Sequence, residues 1–408
     1  MSDPEATLGL SPEPQGETET GVRRMLLNMG PQHPSTHGVL RVLIELEGET
    51  ITRAIPDIGY LHTGIEKQCE ALTWHQAVTL TDRVDYLANL SNNLCYALAV
   101  EKLLQLEIPP KAQWMRVLLA ELTRINSHLV WLGTSAMDLG AMTVFFYCFR
   151  ERENLLKIFE MFSGQRMMTS YIRPGGLALE PPRGWDKAVR DYIREFPQKV
   201  DEYEALLSKN PIFLNRTQGV GYLSLEDLLD YGVTGPLIRA AGLAWDIRKS
   251  EPYSSYEKFD FDIPTRTAGD VYARYQVRVE EMRQSARIVN QALDGMPEGP
   301  YAADAPHVVL PDREKMKTQM EALIYHFKLV YEGYRVPAGE AYQVIESPRG
   351  ELGYYVVSDG SAKPYRVFMR TPSFGTLQAL APMFEGRLIA DSIACMGSLD
   401  FVLGDVDR

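Results

Sequence analysis

Two histidines, His33 and His37, lie four residues apart in the segment Gly30-Pro31-Gln32-His33-Pro34-Ser35-Thr36-His37-Gly38. Its prolines and glycines exclude regular structure, so both imidazoles ride on a constrained loop that could aim one of them into a cavity. Taken alone, the loop reads first as a turn whose polar side chains satisfy backbone groups. Pro34 also removes the helical spacing that would make a zinc pair of the two histidines. A second chemical segment is Asp82-Arg83-Val84-Asp85-Tyr86. Two aspartates suit the first turn of a helix, predicted here over 83–106, because the helix dipole favours negative charge there. Tyr86 adds a phenol able to donate a hydrogen bond and then a proton. Asp138 is the third candidate, the one charge in the 25 residues between Arg124 and Arg150. It reads either as a cap for a helix beginning near Leu139 or as a carboxylate seeking a cationic partner, for which a histidine is suited.

The elements that must position these groups are mostly helical. Met115, Leu118, Leu119, Leu122, Ile125, Leu129 and Leu132 recur at steps of three and four, predicting a helix over 112–133 that starts after Pro109-Pro110. Further helices are predicted near 141–162, 186–207, 271–293 and 314–332. VLRVLIEL at 39–46 and TITRAIP at 50–56 flank Glu47-Gly48-Glu49 as a hairpin, and residues 341–370 alternate like a small antiparallel sheet. The expected fold is mainly α (α+β), a central bundle of long helices with small β regions near both ends. The expected divisions are an acidic, disordered leader at 1–22, a β region with the histidine loop at 23–65, a helical bundle at 66–335, and an α+β region with a tail at 336–408.

A net charge of −12 disfavours nucleic acid or an anionic membrane surface as a direct partner. Cys69, Cys95, Cys148 and Cys395 show no CxxC pairing, which predicts buried, reduced thiols and no zinc or iron–sulfur site within the chain. The apolar run around Asp138 is broken by Met137-Asp138-Leu139-Gly140, so it reads as two buried helices and not as a membrane span.

Taken in order, the segments resemble the 49-kDa-type subunit of NADH:quinone oxidoreductase, respiratory complex I. The match runs through GPQHPSTHGVLR at 30–41, GYLHTGIEK at 59–67, DRVDY at 82–86, YALAVEKLL at 96–104, RINSHLVWLGT at 124–134, MDLGA at 137–141, FRERE at 149–153, YIRPGG at 171–176, RGELGYYVVSDG at 349–360 and GDVDR at 404–408. That family is in turn similar to the large subunits of nickel–iron hydrogenases, which hold their metals through RxCGxC and DPCxxC. Laid on those motifs, the cysteine positions fall on Asp85 and Ala88 and on Val402 and Asp405. Such residues cannot form a soft thiolate site.

The resemblance implies a hydrogenase-large-subunit-like fold and a pocket for a quinone headgroup (ubiquinone or menaquinone) as substrate. The family's headgroup tyrosine falls on Tyr86, its headgroup histidine on His37 and its histidine-pairing aspartate on Asp138. No cofactor would be bound by this chain. The neighbouring [4Fe-4S] cluster would be held by a cluster-bearing small subunit, with other hydrophilic-arm and membrane-arm subunits as further partners. The implied location is peripheral, on the cytoplasmic face of a bacterial cell membrane. Where many relatives carry a histidine near that cluster, in a pattern like RMHAAY, Met168 stands here, and a thioether neither titrates nor donates a strong hydrogen bond. Two rival readings are the large subunit of a membrane-bound hydrogenase, which the missing cysteines oppose, and the equivalent subunit of a ferredoxin-fed quinone oxidoreductase.

Overall fold

A computed structural model of the chain describes residues 24–36 and 38–408. Its frame is set by helix length. Five long helices, α1 (Asn89–Leu104), α2 (Pro110–Asp138), α3 (Met142–Ser163), α4 (Trp185–Leu207) and α5 (Val271–Gly295), form the bundle. α2 packs on α3, α3 on α4, α4 on α5, and α5 returns to α2, closing a four-helix ring with α1 laid against α2. Pro110 opens α2 at a position where its missing N–H costs nothing. Gly164, in the left-handed region at φ 75°, ends α3.

Two three-stranded antiparallel sheets lie outside the ring, in addition to a two-stranded pairing of Ile172–Arg173 with Gly176–Leu177. β1 (Arg24–Met29), β2 (Arg41–Glu47) and β3 (Thr50–Asp57) pair in that order. The expected hairpin is thus present, with a strand that periodicity did not announce beside it. β4 (Gly339–Ser347), β5 (Gly350–Ser358) and β6 (Arg366–Arg370) form the second sheet, whose first strand lies on α1. After it come short helices and then α6 (Ile389–Leu399) and α7 (Leu403–Asp407).

Apolar burial divides into two main cores. The larger fills the bundle and continues under the second sheet. The other joins both ends of the chain: Val42, Ile44 and Ile51 pack with Leu380, Phe384, Leu399 and Leu403. Backbone bonds reinforce the join, Ile51 N donating to Arg387 O at 2.8 Å and Gly386 N to Ile51 O at 2.8 Å.

Three local expectations change. The helix predicted over 83–106 begins only at Asn89. Asp85 Oδ1 accepts from Leu87 N at 3.1 Å and Ala88 N at 3.2 Å, which satisfies the backbone in a turn and delays the helix. The helix predicted over 314–332 is two, Arg313–Thr318 and Met320–Tyr331, separated by Gln319 in an extended conformation. The closing GDVDR is a buried helical turn instead of a plain tail.

Candidate functional site

The site is built around the last twenty residues of the chain. Trp131 Nε1 and Ser135 Oγ on α2 both donate to Gly397 O on α6, at 2.7 and 3.2 Å. These bonds draw α6 against the end of α2. A methyl group on Gly397 would stand 3.3 Å from Ser135 Oγ and 3.9 Å from a carboxylate oxygen of Asp138. Asp138 is the last residue of α2, not a cap for the next helix, which begins at Met142.

Six residues along, α7 enters the turn that carries Tyr86. A methyl group on Gly404 would come 2.7 Å from Val84 O, 3.1 Å from Arg83 O and 3.5 Å from the Tyr86 ring. Only a residue without a side chain allows this approach. On its other flank, a side chain at Gly38 would meet Leu403 Cδ1 at 3.0 Å. Segment 397–404 therefore runs beside Asp138, Tyr86 and the end of the histidine loop. His37 itself lies outside the described residues. His33, the other histidine of the loop, is exposed, and its carbonyl accepts from Thr36 Oγ1 at 2.8 Å.

The turn before α1 is held from both sides. Asp82 accepts from Ser170 N at 3.1 Å and also from the Ser170 hydroxyl, while Asn89 Nδ2 donates to Thr169 Oγ1 at 3.0 Å. Segment 168–170 thereby lies against the turn, with Met168 at φ 55° and Ser170 at φ 42°. Both occupy a backbone region that L residues seldom adopt. The half-buried Tyr86 phenol is pushed above its ordinary pKa by burial first and then by the Asp85 charge, so it stays a donor at neutral pH.

Behind Tyr86 lies a charged cluster that joins Asp85 and Asp405 to Arg349 and Asp400. Asp85 pairs with Arg349, whose Nη2 is 3.4 Å from Asp400 Oδ1 and whose Nε donates to Asp400 O at 2.7 Å. Burial opposes the charge on Arg349, but Asp400, Asp85 and Asp405 around it hold the guanidinium well above its usual range. Arg278 lies 3.9 Å from Asp400 and covers the Trp131 ring at 4.4 Å. Asp405 is 1% exposed and accepts from Ser373 N at 3.0 Å through Oδ2, while its Oδ1 has no hydrogen-bond partner among the described residues. Asp85 and Asp405 are two of the positions laid on hydrogenase cysteines. Four ligands of one metal must converge in space, so those positions carried a signal that their replacements are neighbours.

All four cysteines are buried and unpaired, and burial pushes the Cys69 thiol to about 12 and Cys395 to about 11. Among the described residues no group of three or more His, Cys, Asp or Glu could hold a metal ion, and no helix is long and apolar enough to cross a membrane. The arrangement offers a half-buried phenol and a carboxylate on separate elements, tied through one glycine-marked segment. A phenol can donate a hydrogen bond to an oxygen and then a proton.

Comparison with known proteins places the chain. The family model described as respiratory-chain NADH dehydrogenase, 49 Kd subunit, matches residues 138–408. The NADH-quinone oxidoreductase D 1 subunit of Solibacter usitatus is 72% identical over 392 residues, covering 96% of each chain. The D 2 subunit of the Koribacter versatilis oxidoreductase is 66% identical over 386 residues, 95% of this chain and 96% of that one. The D subunit from Geotalea uraniireducens is 55% identical over 384 residues, 94% of this chain and 98% of its own length.

Proposed function

This chain belongs to the family of the 49-kDa subunit of respiratory-chain NADH dehydrogenase, and on that premise we propose that it forms the quinone headgroup pocket of the assembled enzyme. Tyr86 donates to one quinone oxygen and His37 to the opposed one, while Asp138 orients the imidazole. The electrons come from a [4Fe-4S] cluster held by a partner subunit, and the chain sits peripherally on the cytoplasmic face of the membrane with the other subunits of the complex. The observation that carries this reading is that segment 397–404 runs beside three places: Asp138, the Tyr86 ring, and Gly38 next to His37. Residues 52 positions apart in sequence, Tyr86 and Asp138, thereby face one strip of backbone. Segment 168–170, beside the same turn, supports placing Met168 near the partner's cluster.

The test uses the assembled complex. Tyr86→Phe removes one hydroxyl from a half-buried ring, so stability changes by about 1 kcal/mol or less. NADH:quinone turnover should be impaired in both kcat and KM. NADH:ferricyanide turnover, which draws electrons upstream, should hold. Asp138→Asn should cost less quinone turnover than His37→Ala, because it acts through the imidazole. Unchanged quinone turnover in Tyr86→Phe overturns the pocket assignment and leaves the family membership intact.

A further inference from the structure

A hairpin tip normally lies at the surface, where water satisfies its backbone. The tip between β4 and β5, Pro348-Arg349, is instead buried, and Arg349 is 2% exposed. The tip is held from two sides. Arg124 on α2 donates to Glu346 O at 2.7 Å and to Ser347 O at 3.0 Å. A methyl group on Gly350 would stand 2.5 Å from Thr234 Oγ1, so the tip also lies tight against residues 234–235. A long side chain rooted in so fixed a turn delivers its guanidinium to one place.

That place is the junction of two walls around Tyr86. Arg349 Nη1 donates to Asp85 Oδ2, and the other oxygen of that carboxylate accepts from Leu87 N and Ala88 N at 3.1 and 3.2 Å, so Asp85 straddles Tyr86. Arg349 Nε donates to Asp400 O at 2.7 Å and Nη2 to Asp400 Oδ1 at 3.4 Å. At Asp400, in the left-handed region at φ 54°, the chain leaves α6 for the stretch that brings Gly404 beside the Tyr86 ring. Three nitrogens of one planar group thus serve the turn before α1 and the chain after α6 together. An ammonium has no such fork and would not hold both in one geometry.

We propose that Arg349 is a positioning residue of the headgroup site: by clamping Asp85 to Asp400 it fixes where the Tyr86 hydroxyl meets the quinone. The proposal rests on the headgroup pocket described above. Arg349 acts through the two aspartates, and the phenol remains the group that donates to the quinone. Sliding either wall along the other breaks a bond at the guanidinium, so the two walls move together or not at all. A misplacement of about 1 Å at a reacting group can cost on the order of a hundred-fold in rate, so a clamp one residue removed from the phenol can govern turnover.

The experiment is a double-mutant cycle in the assembled complex, read as kcat/KM for NADH:quinone turnover with ferricyanide turnover as the upstream control. Arg349→Lys keeps the charge and loses the fork, and should cost about ten-fold in quinone turnover while ferricyanide turnover holds. Asp85→Asn keeps an oxygen for Leu87 N and Ala88 N but turns an amide N–H toward Arg349, which cannot accept, and should cost about as much. On top of Tyr86→Phe either change should add less than about two-fold, because the hydroxyl that the clamp positions is gone. Losses that multiply in full overturn the proposal, since a structural role independent of the phenol gives that result. Parent-like quinone turnover in Arg349→Lys overturns it as well. If Arg349→Lys does not assemble, Asp85→Asn decides by the same two criteria, and failure of both to assemble overturns the proposal by making the clamp a folding element. Tyr86→Phe by itself separates the two readings. If it is slow and Arg349→Lys is not, only the clamp fails, and if it is silent the pocket itself fails.

Discussion

Two regions of this molecule bury carboxylates equally deeply and treat them in opposite ways. In the bundle core Glu121 accepts from Arg248 at 3.0 and 3.2 Å, from Tyr256 Oη at 2.6 Å and from Ser285 Oγ at 2.6 Å. Glu281 accepts from Arg239 Nε at 2.9 Å and lies 2.9 Å from His128 Nε2. Although burial alone would raise both, their cationic neighbours hold them below the usual carboxylate range. Behind Tyr86, Asp405 is as buried, its hydrogen-bonding neighbour is Ser373, and burial followed by the Asp85 charge pushes it up to about 7. Glu346 lies between the two cases: Arg239 Nη1 serves one oxygen at 2.8 Å and Ile247 N reaches the other at 3.4 Å, and burial pushes its carboxyl up. Depth of burial therefore does not set the charge state. The charges around each carboxylate do: arginines dominate about Glu121 and Glu281, whereas Asp405 faces the Asp85 carboxylate as well as Arg349.

The largest effect should come from breaking the well-supplied region. Glu281→Ala leaves the Arg239 guanidinium and His128 without their shared carboxylate in the bundle core, a loss of about 3–5 kcal/mol. Urea unfolding of the purified chain would measure it, and a loss under about 1 kcal/mol would mean that Arg239 is satisfied by Glu346 alone.

A smaller effect, located at the other region, should follow Gly404→Ala. The new methyl would press on Val84 O and Arg83 O and displace the Tyr86 turn, at a cost of about 1–3 kcal/mol. Quinone turnover should fall while ferricyanide turnover holds. Equal loss of both would show that the contact only supports assembly.

The gentlest test compares the pH dependence of stability. The native Asp405 keeps its proton from about pH 4 to about 7, where the unfolded chain has already released it, so its contribution to stability declines as pH rises through that window. Asp405→Asn has no such slope and should gain on the parent by on the order of a few kcal/mol across it. Glu281 carries the opposite sign, because its depressed pKa makes stability fall as pH drops below the ordinary glutamate range. A difference between Asp405→Asn and the parent that stayed flat with pH would place Asp405 with the well-supplied carboxylates.

How much of this was readable beforehand depends on the range of the interactions. Periodicity located the long helices because apolar spacing reports a local period. The run from Met115 to Leu132 lies inside α2, and Pro109-Pro110 marks its start. The hairpin flanking Glu47-Gly48-Glu49 was legible for the same reason. β1 was not, because its residues are mostly half-buried or exposed and carry no clean alternation. Nor was the delayed start of α1, which hinges on how the Asp85 side chain bonds its own turn.

The sequence by itself determined the family, the helical frame and the three residues Tyr86, His37 and Asp138 as candidates. Order of motifs and local chemistry are one-dimensional properties and survive without coordinates. Only the tertiary structure decided that segment 397–404 runs beside Asp138, Tyr86 and Gly38, and that Asp85, Asp400 and Asp405 gather around Arg349. Those contacts join residues from about fifty to several hundred positions apart, and a carboxylate's charge depends on the donors and charges that chain folding brings close to it.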